Sequence, residues 1–214
     1  MDELKIKKRT LFKAMSIFFF LFGVAIFLTG YYEGNAASIL WLCSASIFLL
    51  AIGLWLENNF IISTTLTASF LLNFIWATDF IGFILTGSLP IGIAQYLKTA
   101  SILRKIMASY HLFLLVVSLA VVFKTKKFHK YSWLGASSFL LILSLLSLAF
   151  SKRWANVNCV FELCNVGTFS FLEKLNQIIL NFLPSFILHW LFATIVIFIP
   201  TSFFFKKMVK WIAK

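Results

Sequence analysis

The sequence predicts an all-α fold: a polytopic transmembrane bundle of about six helices with both termini cytoplasmic. Three observations carry this expectation. Of the 214 residues, 61% are hydrophobic and only 12% are charged, which is too little charge to cover the surface of a soluble domain. Apolar windows of about 18 or more residues recur along the whole chain. The basic residues, which give a net charge of +12, gather at the ends of those windows, where membrane proteins place cytoplasmic Lys and Arg. The charge is therefore read as membrane topology and attraction to anionic lipid, not as nucleic-acid binding.

Taken in order, the spans fall at about 14–32, 36–56, 59–86, 105–123, 131–150 and 180–205, within one integral membrane domain covering residues 1–214. The basic start KIKKRTLFK runs straight into apolar sequence with no small-residue cleavage site, so the first window is read as an anchor helix. Lys5, Lys7, Lys8, Arg9 and Lys13 precede it. Lys124, Lys126, Lys127 and Lys130 follow the fourth span, and Lys206, Lys207, Lys210 and Lys214 follow the sixth. These thirteen of the nineteen basic residues share one side if the helices alternate, and that side is cytoplasmic by the positive-inside rule. The two long connections, 87–104 and 151–179, then lie on the outer side. Glu57, Asn58 and Asn59 form the tight inner turn between the second and third spans.

Depth turns the polar residues into candidates. Asp79 lies about two turns inside the outer end of the third span, and His111 one or two turns below the surface on the fourth. His189, after Pro184, reaches a similar level on the sixth. Ionisable groups at membrane depth are functional candidates, because burying them is costly unless they face a partner or water. The plainer alternative pairs Asp79 with Arg104 or Lys105 and leaves the histidines in ordinary hydrogen bonds. On the third span Thr65, Ser69, Asn73, Trp76 and Asp79 share a face. That stripe reads either as a helix–helix seam or as a groove leading to Asp79. Ser137, Ser144 and Ser151 form a small-residue packing stripe on the fifth span.

The outer stretch RWANVNCVFELCNVG, residues 153–167, concentrates polar residues between two apolar windows. Cys159 and Cys164 are compatible with a disulfide or with two free thiols. Two cysteines without matching further ligands do not make a zinc site, and no cofactor motif is present: neither a phosphate loop, nor G-x-S-x-G, nor HExxH.

Five segments in order, WLENN (55–59), WATDFIGFILTG (76–87), SYHLFLLVV (109–117), NVNCVF (156–161) and IPTSFF (199–204), resemble an uncharacterised family of bacterial membrane-associated proteins. The family pattern runs E-N, L-W-x-x-D-F-L-x-x-L-L-T-G, S-x-F-H, N-V-N-x-V-Y and L-P-T-H. The likeness covers residues 55 to 205 and leaves out the first span. Phe161 stands where the family has Tyr, and Ser202 where it has His. The resemblance implies a bacterial inner-membrane location and marks Asn156 and Asn158 as loop-organising or ligand-binding groups; it implies no activity. A remoter similarity is to androgen-induced integral-membrane hydrolases and multi-helix acyltransferases, in which His111 matches the catalytic histidine by position only.

The expected function is an uncharacterised one at the outer-leaflet level. In a hydrolase or acyltransferase acting on a lipid, His111 would be the base and Asp79 its support, with Asn156, Asn158, His189, Trp76 and Asn73 around the substrate. A small-solute or proton-coupled transporter and a non-enzymatic membrane scaffold are the alternatives, and membrane lipid is the expected partner in each case.

Overall fold

The computed structural model describes residues 2–161 and 184–214, with the backbone alone for residues 2–8. All of its regular elements among the described residues are helical. They are α1 (Asp2–Tyr32), α2 (Leu42–Trp55), α3 (Asn59–Thr86), α4 (Ile102–Ala108), α5 (Tyr110–Thr125), α6 (Ser132–Phe150), α7 (Ser185–Phe192) and α8 (Ile199–Ile212). Five stretches are long and apolar enough to cross a membrane: Arg9–Tyr32, Asn59–Thr86, Ile102–Thr125, Ser132–Phe150 and Ser185–Ile212. This is the architecture of a multi-pass membrane protein.

Helix α3 is the axis of the bundle, packed against α2, α5, α6 and α8. It can be central because it is rich in small hydroxyl residues, which let neighbouring backbones approach closely. Thr65 and Ser69 return their hydroxyl protons to the carbonyls of Ile61 and Thr65 within the helix, so they need no partner across the seam. Facing them, Gly135 on α6 lies against Thr64 and the Phe60 ring. A hydroxyl ladder closes the far side. Thr67 donates to Ser132 at 2.9 Å, Ser132 meets Ser202 of α8 at 2.9 Å, and Ser137 meets Thr194 at 2.8 Å. The apolar core fills the other face, with Phe19, Ile47, Leu50, Leu66, Leu114 and Phe205 among its buried side chains.

Three spans differ from the simple rods expected, each for a backbone reason. The second is broken at Trp41, whose extended backbone (ψ 136°) separates a 3₁₀ turn, Ala36–Leu40, from α2. At 14 residues α2 is about 21 Å long, shorter than the ~30 Å apolar thickness of a bilayer. The fourth bends at Ser109, between α4 and α5. The last begins at Ser185 and carries a π-helical segment, Ala193–Phe198, immediately before Pro200. Proline lacks the N–H and clashes with the carbonyl one turn back, and a wider π turn accommodates it without ending the helix.

The polar ends segregate. Arg9 approaches Glu57 at 3.8 Å and Lys13 lies 5.0 Å over the Trp55 ring. Lys126, Lys127, Lys206 and Lys210 surround one cavity beside Asn59. The basic clusters on α1, the α5–α6 turn and α8 therefore share one end of the bundle. The opposite end carries the Glu33–Arg104 ion pair (2.8 Å) and the chain around residues 87–101 and 153–161.

A Cβ added at Gly135 would overlap the Thr64 side chain and stand 2.9 Å from Phe60 Cζ. Gly135→Ala should cost about 1–3 kcal/mol through overpacking of the α3–α6 seam, read as a lower Tm in detergent. Gly135→Ala combined with Thr64→Ala should recover most of that loss.

Candidate functional site

Helix α3 ends at Gly87, which adopts the left-handed conformation (φ 69°) and donates its N–H to Phe83, a geometry glycine reaches without a Cβ penalty. The chain then folds back along the helix. Gly82 permits this, since a Cβ there would meet the Pro90 ring. About two turns below the helix end, the Asp79 carboxylate receives the returning chain. One oxygen accepts from Ile91 N–H (2.7 Å) and Gly92 N–H (3.1 Å), the other from Ala94 N–H (2.9 Å). Asp79 is 0% exposed. The carboxylate thus caps a loop whose amides lipid cannot satisfy, through charge-assisted bonds that are roughly twice as strong as neutral ones. It does not pair with the basic residues suggested by sequence proximity. Arg104 binds Glu33, and Lys105 lies 5.7 Å over the Phe83 ring.

One turn deeper, Trp76 Nε1–H donates to the Tyr96 hydroxyl at 2.9 Å. Burial raises the pKa of the Tyr96 phenol above its usual value, opposed by the Trp76 N–H and the nearby Arg104 charge. The Trp76 indole stacks on the His111 ring at 4.3 Å, and His111 in turn stacks on Tyr110 at 3.9 Å. The Tyr110 hydroxyl meets Ser44 of α2 at 3.0 Å. His111 Nδ1 lies 2.8 Å from the Ala108 carbonyl. A carbonyl only accepts, so Nδ1 carries the proton. That carbonyl belongs to the bend between α4 and α5, where Ser109 Oγ likewise donates to Ile106. The histidine is therefore engaged at a helix bend, and among the described residues no hydrogen bond or ion pair joins it to Asp79.

Residues 153–161 form a polar plug at the same end of the bundle. Asn156, Asn158 and Cys159 all have positive φ (38°, 54° and 56°), a cluster of left-handed residues that Asn tolerates better than most. This coil sends the Asn158 amide into the break of the second span. Its Oδ1 accepts from Leu42 N–H (3.0 Å), and its Nδ2 donates to the Leu40 carbonyl (2.7 Å) and to Ser147 of α6 (3.2 Å). Asn156 Oδ1 accepts from Phe161 N–H at 3.0 Å, holding the coil shut. Ser185 at the start of α7 donates to the Val160 carbonyl. Cys159 is disulfide-bonded; Cys164 lies outside the described residues, and Cys43 is a free thiol.

Of the residues singled out in the sequence, Asp79, Trp76 and His111 do come together, with Trp76 as the bridge. Asn73 lies deeper on α3, 0% exposed, and neither atom of its amide has a hydrogen-bond partner among the described residues. His189 is half-buried on α7, which packs on α6 and the 157–159 turn. Its neighbour Trp190 donates to the Ser137 carbonyl (3.0 Å), so that segment is tied to α6 and not to the Asp79 region. Sequence reasoning missed Tyr96, Tyr110, Ser44 and Glu33. An aromatic hydroxyl shows no periodic signal, and its partners lie up to 66 positions away. No family model, curated protein or solved structure matches this chain.

Asn158→Leu should be among the most destabilising single changes at this end. It leaves the buried Leu42 N–H and Leu40 carbonyl unpaired, at about 1–3 kcal/mol each. The expected readout is a large fall in detergent Tm and faster proteolysis between α1 and α2.

Proposed function

We propose that the protein is a non-enzymatic, lipid-associated component of a bacterial inner membrane, a scaffold whose outer polar cluster is architectural. The observation that carries this reading is where the candidate groups spend their hydrogen bonds. The Asp79 carboxylate, the His111 Nδ1–H and the Asn158 amide are all engaged with main-chain groups at interruptions of helices. A catalytic base needs a nucleophile or water within hydrogen-bond reach and an orienting partner behind it. His111 has its orienting bond, but its partner is a backbone carbonyl, and aromatic rings stack on it from Trp76 and Tyr110.

A second reading, an intramembrane hydrolase or acyltransferase acting on a lipid, draws on one feature. His111 Nε2 has no hydrogen-bond partner among the described residues, which leaves that nitrogen as the position for a base. The two readings part in a single comparison. Cells producing the native chain, His111→Phe or Asp79→Asn are profiled for membrane lipids at matched protein level. His111→Phe keeps a ring for Trp76 and Tyr110 to stack on but loses the bond to Ala108, worth about 0.5–1.5 kcal/mol. The scaffold reading expects a slightly lower Tm and unchanged lipid profiles. A lipid species that disappears in both variants, while the protein remains in the membrane, would establish the enzyme reading instead.

A further inference from the structure

We propose that the basic end of the bundle binds the phosphate headgroup of an acidic phospholipid, in the cavity between the 126–131 turn, the start of α3 and α8. The inference rests on the membrane-embedded reading above, and it is independent of whether His111 is catalytic.

The cavity measures about 420 Å³, within the ~300–1,000 Å³ range of small-molecule sites. Lys126 and Lys127 come from the turn after α5, and Lys206 and Lys210 from one face of α8, a helical turn apart. None of the four has an acidic partner among the described residues, where the ion pairs are Arg9–Glu57 and Arg104–Glu33. Four cations without acidic partners around one concavity raise the local positive potential, which an anion placed between them would neutralise. Positive topology signals need only lie on one side of a membrane; they do not need to share a cavity.

The turn that carries two of these lysines is held in place. Lys126 ends α5 in the left-handed conformation (φ 51°), with its N–H on Phe123. Three residues on, His129 N–H donates to Ser63 of α3 at 3.0 Å, and the His129 ring packs edge-on against Phe60 at 5.0 Å. The Ser132–Ser202 bond fixes α8 beside it. The backbone that carries these cations is therefore framed, and only the exposed lysine side chains need to order when a ligand arrives.

The lining is amphipathic, which selects a lipid over a soluble anion. Phe128 and Val209 share the cavity with the lysines. On the same helix, Phe203 and Trp211 are 70% and 77% exposed, as expected where α8 meets hydrocarbon and the interfacial zone. A headgroup phosphate would sit among the ammonium groups while its acyl chains descend along the apolar surface of α8. Basic pockets between transmembrane helices on the cytoplasmic side bind anionic headgroups in this way, and that leaflet is the anionic one.

The test uses the full-length protein in phosphatidylcholine nanodiscs with and without phosphatidylglycerol. Lipid retained on the protein is measured by native mass spectrometry after detergent release. The native chain should retain phosphatidylglycerol selectively. Lys206→Gln/Lys210→Gln should weaken that retention about ten-fold or more, while Lys98→Gln/Lys152→Gln, which removes equal charge from the other end, should leave it unchanged. Equal retention by native chain and Lys206→Gln/Lys210→Gln would overturn the proposal, as would equal loss in the control pair. Displacement by free glycerol 3-phosphate would show a soluble ligand instead of a lipid. Failure of the native chain to enter nanodiscs would overturn the membrane reading itself; entry with no lipid preference would overturn this inference alone.

Discussion

Wherever a helix is interrupted inside an apolar bundle, its free N–H and C=O groups must find partners in the protein, because hydrocarbon offers none. The rest of this structure depends on how that requirement is met. At the break of the second span, Asn158 supplies both halves of the missing backbone pairing, an acceptor for Leu42 and a donor for Leu40. Beneath the C-terminal end of α3, Asp79 accepts three amides of the returning chain. At the α4–α5 bend, His111 takes the freed carbonyl of Ala108. At the exposed turn between α2 and α3, Asn58 likewise caps α3 by accepting from Phe60 and Ile61.

These four residues, Asn58, Asp79, His111 and Asn158, stand in the segments WLENN, WATDFIGFILTG, SYHLFLLVV and NVNCVF. The fifth, IPTSFF, holds Pro200, which stands just after the π-helical segment. Each of the five segments stands where regular helical hydrogen bonding is interrupted or ends. Trp76, Asp79, Gly82, Thr86 and Gly87 act as one unit, respectively binding Tyr96, capping the returning chain, admitting Pro90, bonding Ser88 and reversing the backbone.

The sequence made the bundle legible because hydrophobic windows and flanking lysines are local signals. It placed Asp79 two turns inside the helix end and brought Asp79 and His111 to the same region. What it could not show was the partner of each group. Asp79 looked like a match for Arg104 or Lys105 by charge, yet it binds uncharged amides, and backbone N–H groups carry no residue identity to read. The break at Trp41 was hidden for the same reason. Residues 36–56 carry no charged residue and no proline, and the side chain that permits the break lies 116 positions away. The grouping of Lys126 and Lys127 with Lys206 and Lys210 was visible as shared sidedness, but its concave shape belongs to the packing of α8 on the turn after α5.

The most direct test of this account is residue-resolved amide hydrogen exchange in nanodiscs at Ile91, Gly92 and Ala94. These amides belong to an irregular connection in which Ile91 is exposed and which has no helical ladder there to protect it. The account predicts strong protection in the native chain and its loss at all three in Asp79→Leu, with protection in the middle of α3 retained. Rapid exchange at these amides in the native chain would contradict it, because the carboxylate would then be free for another role.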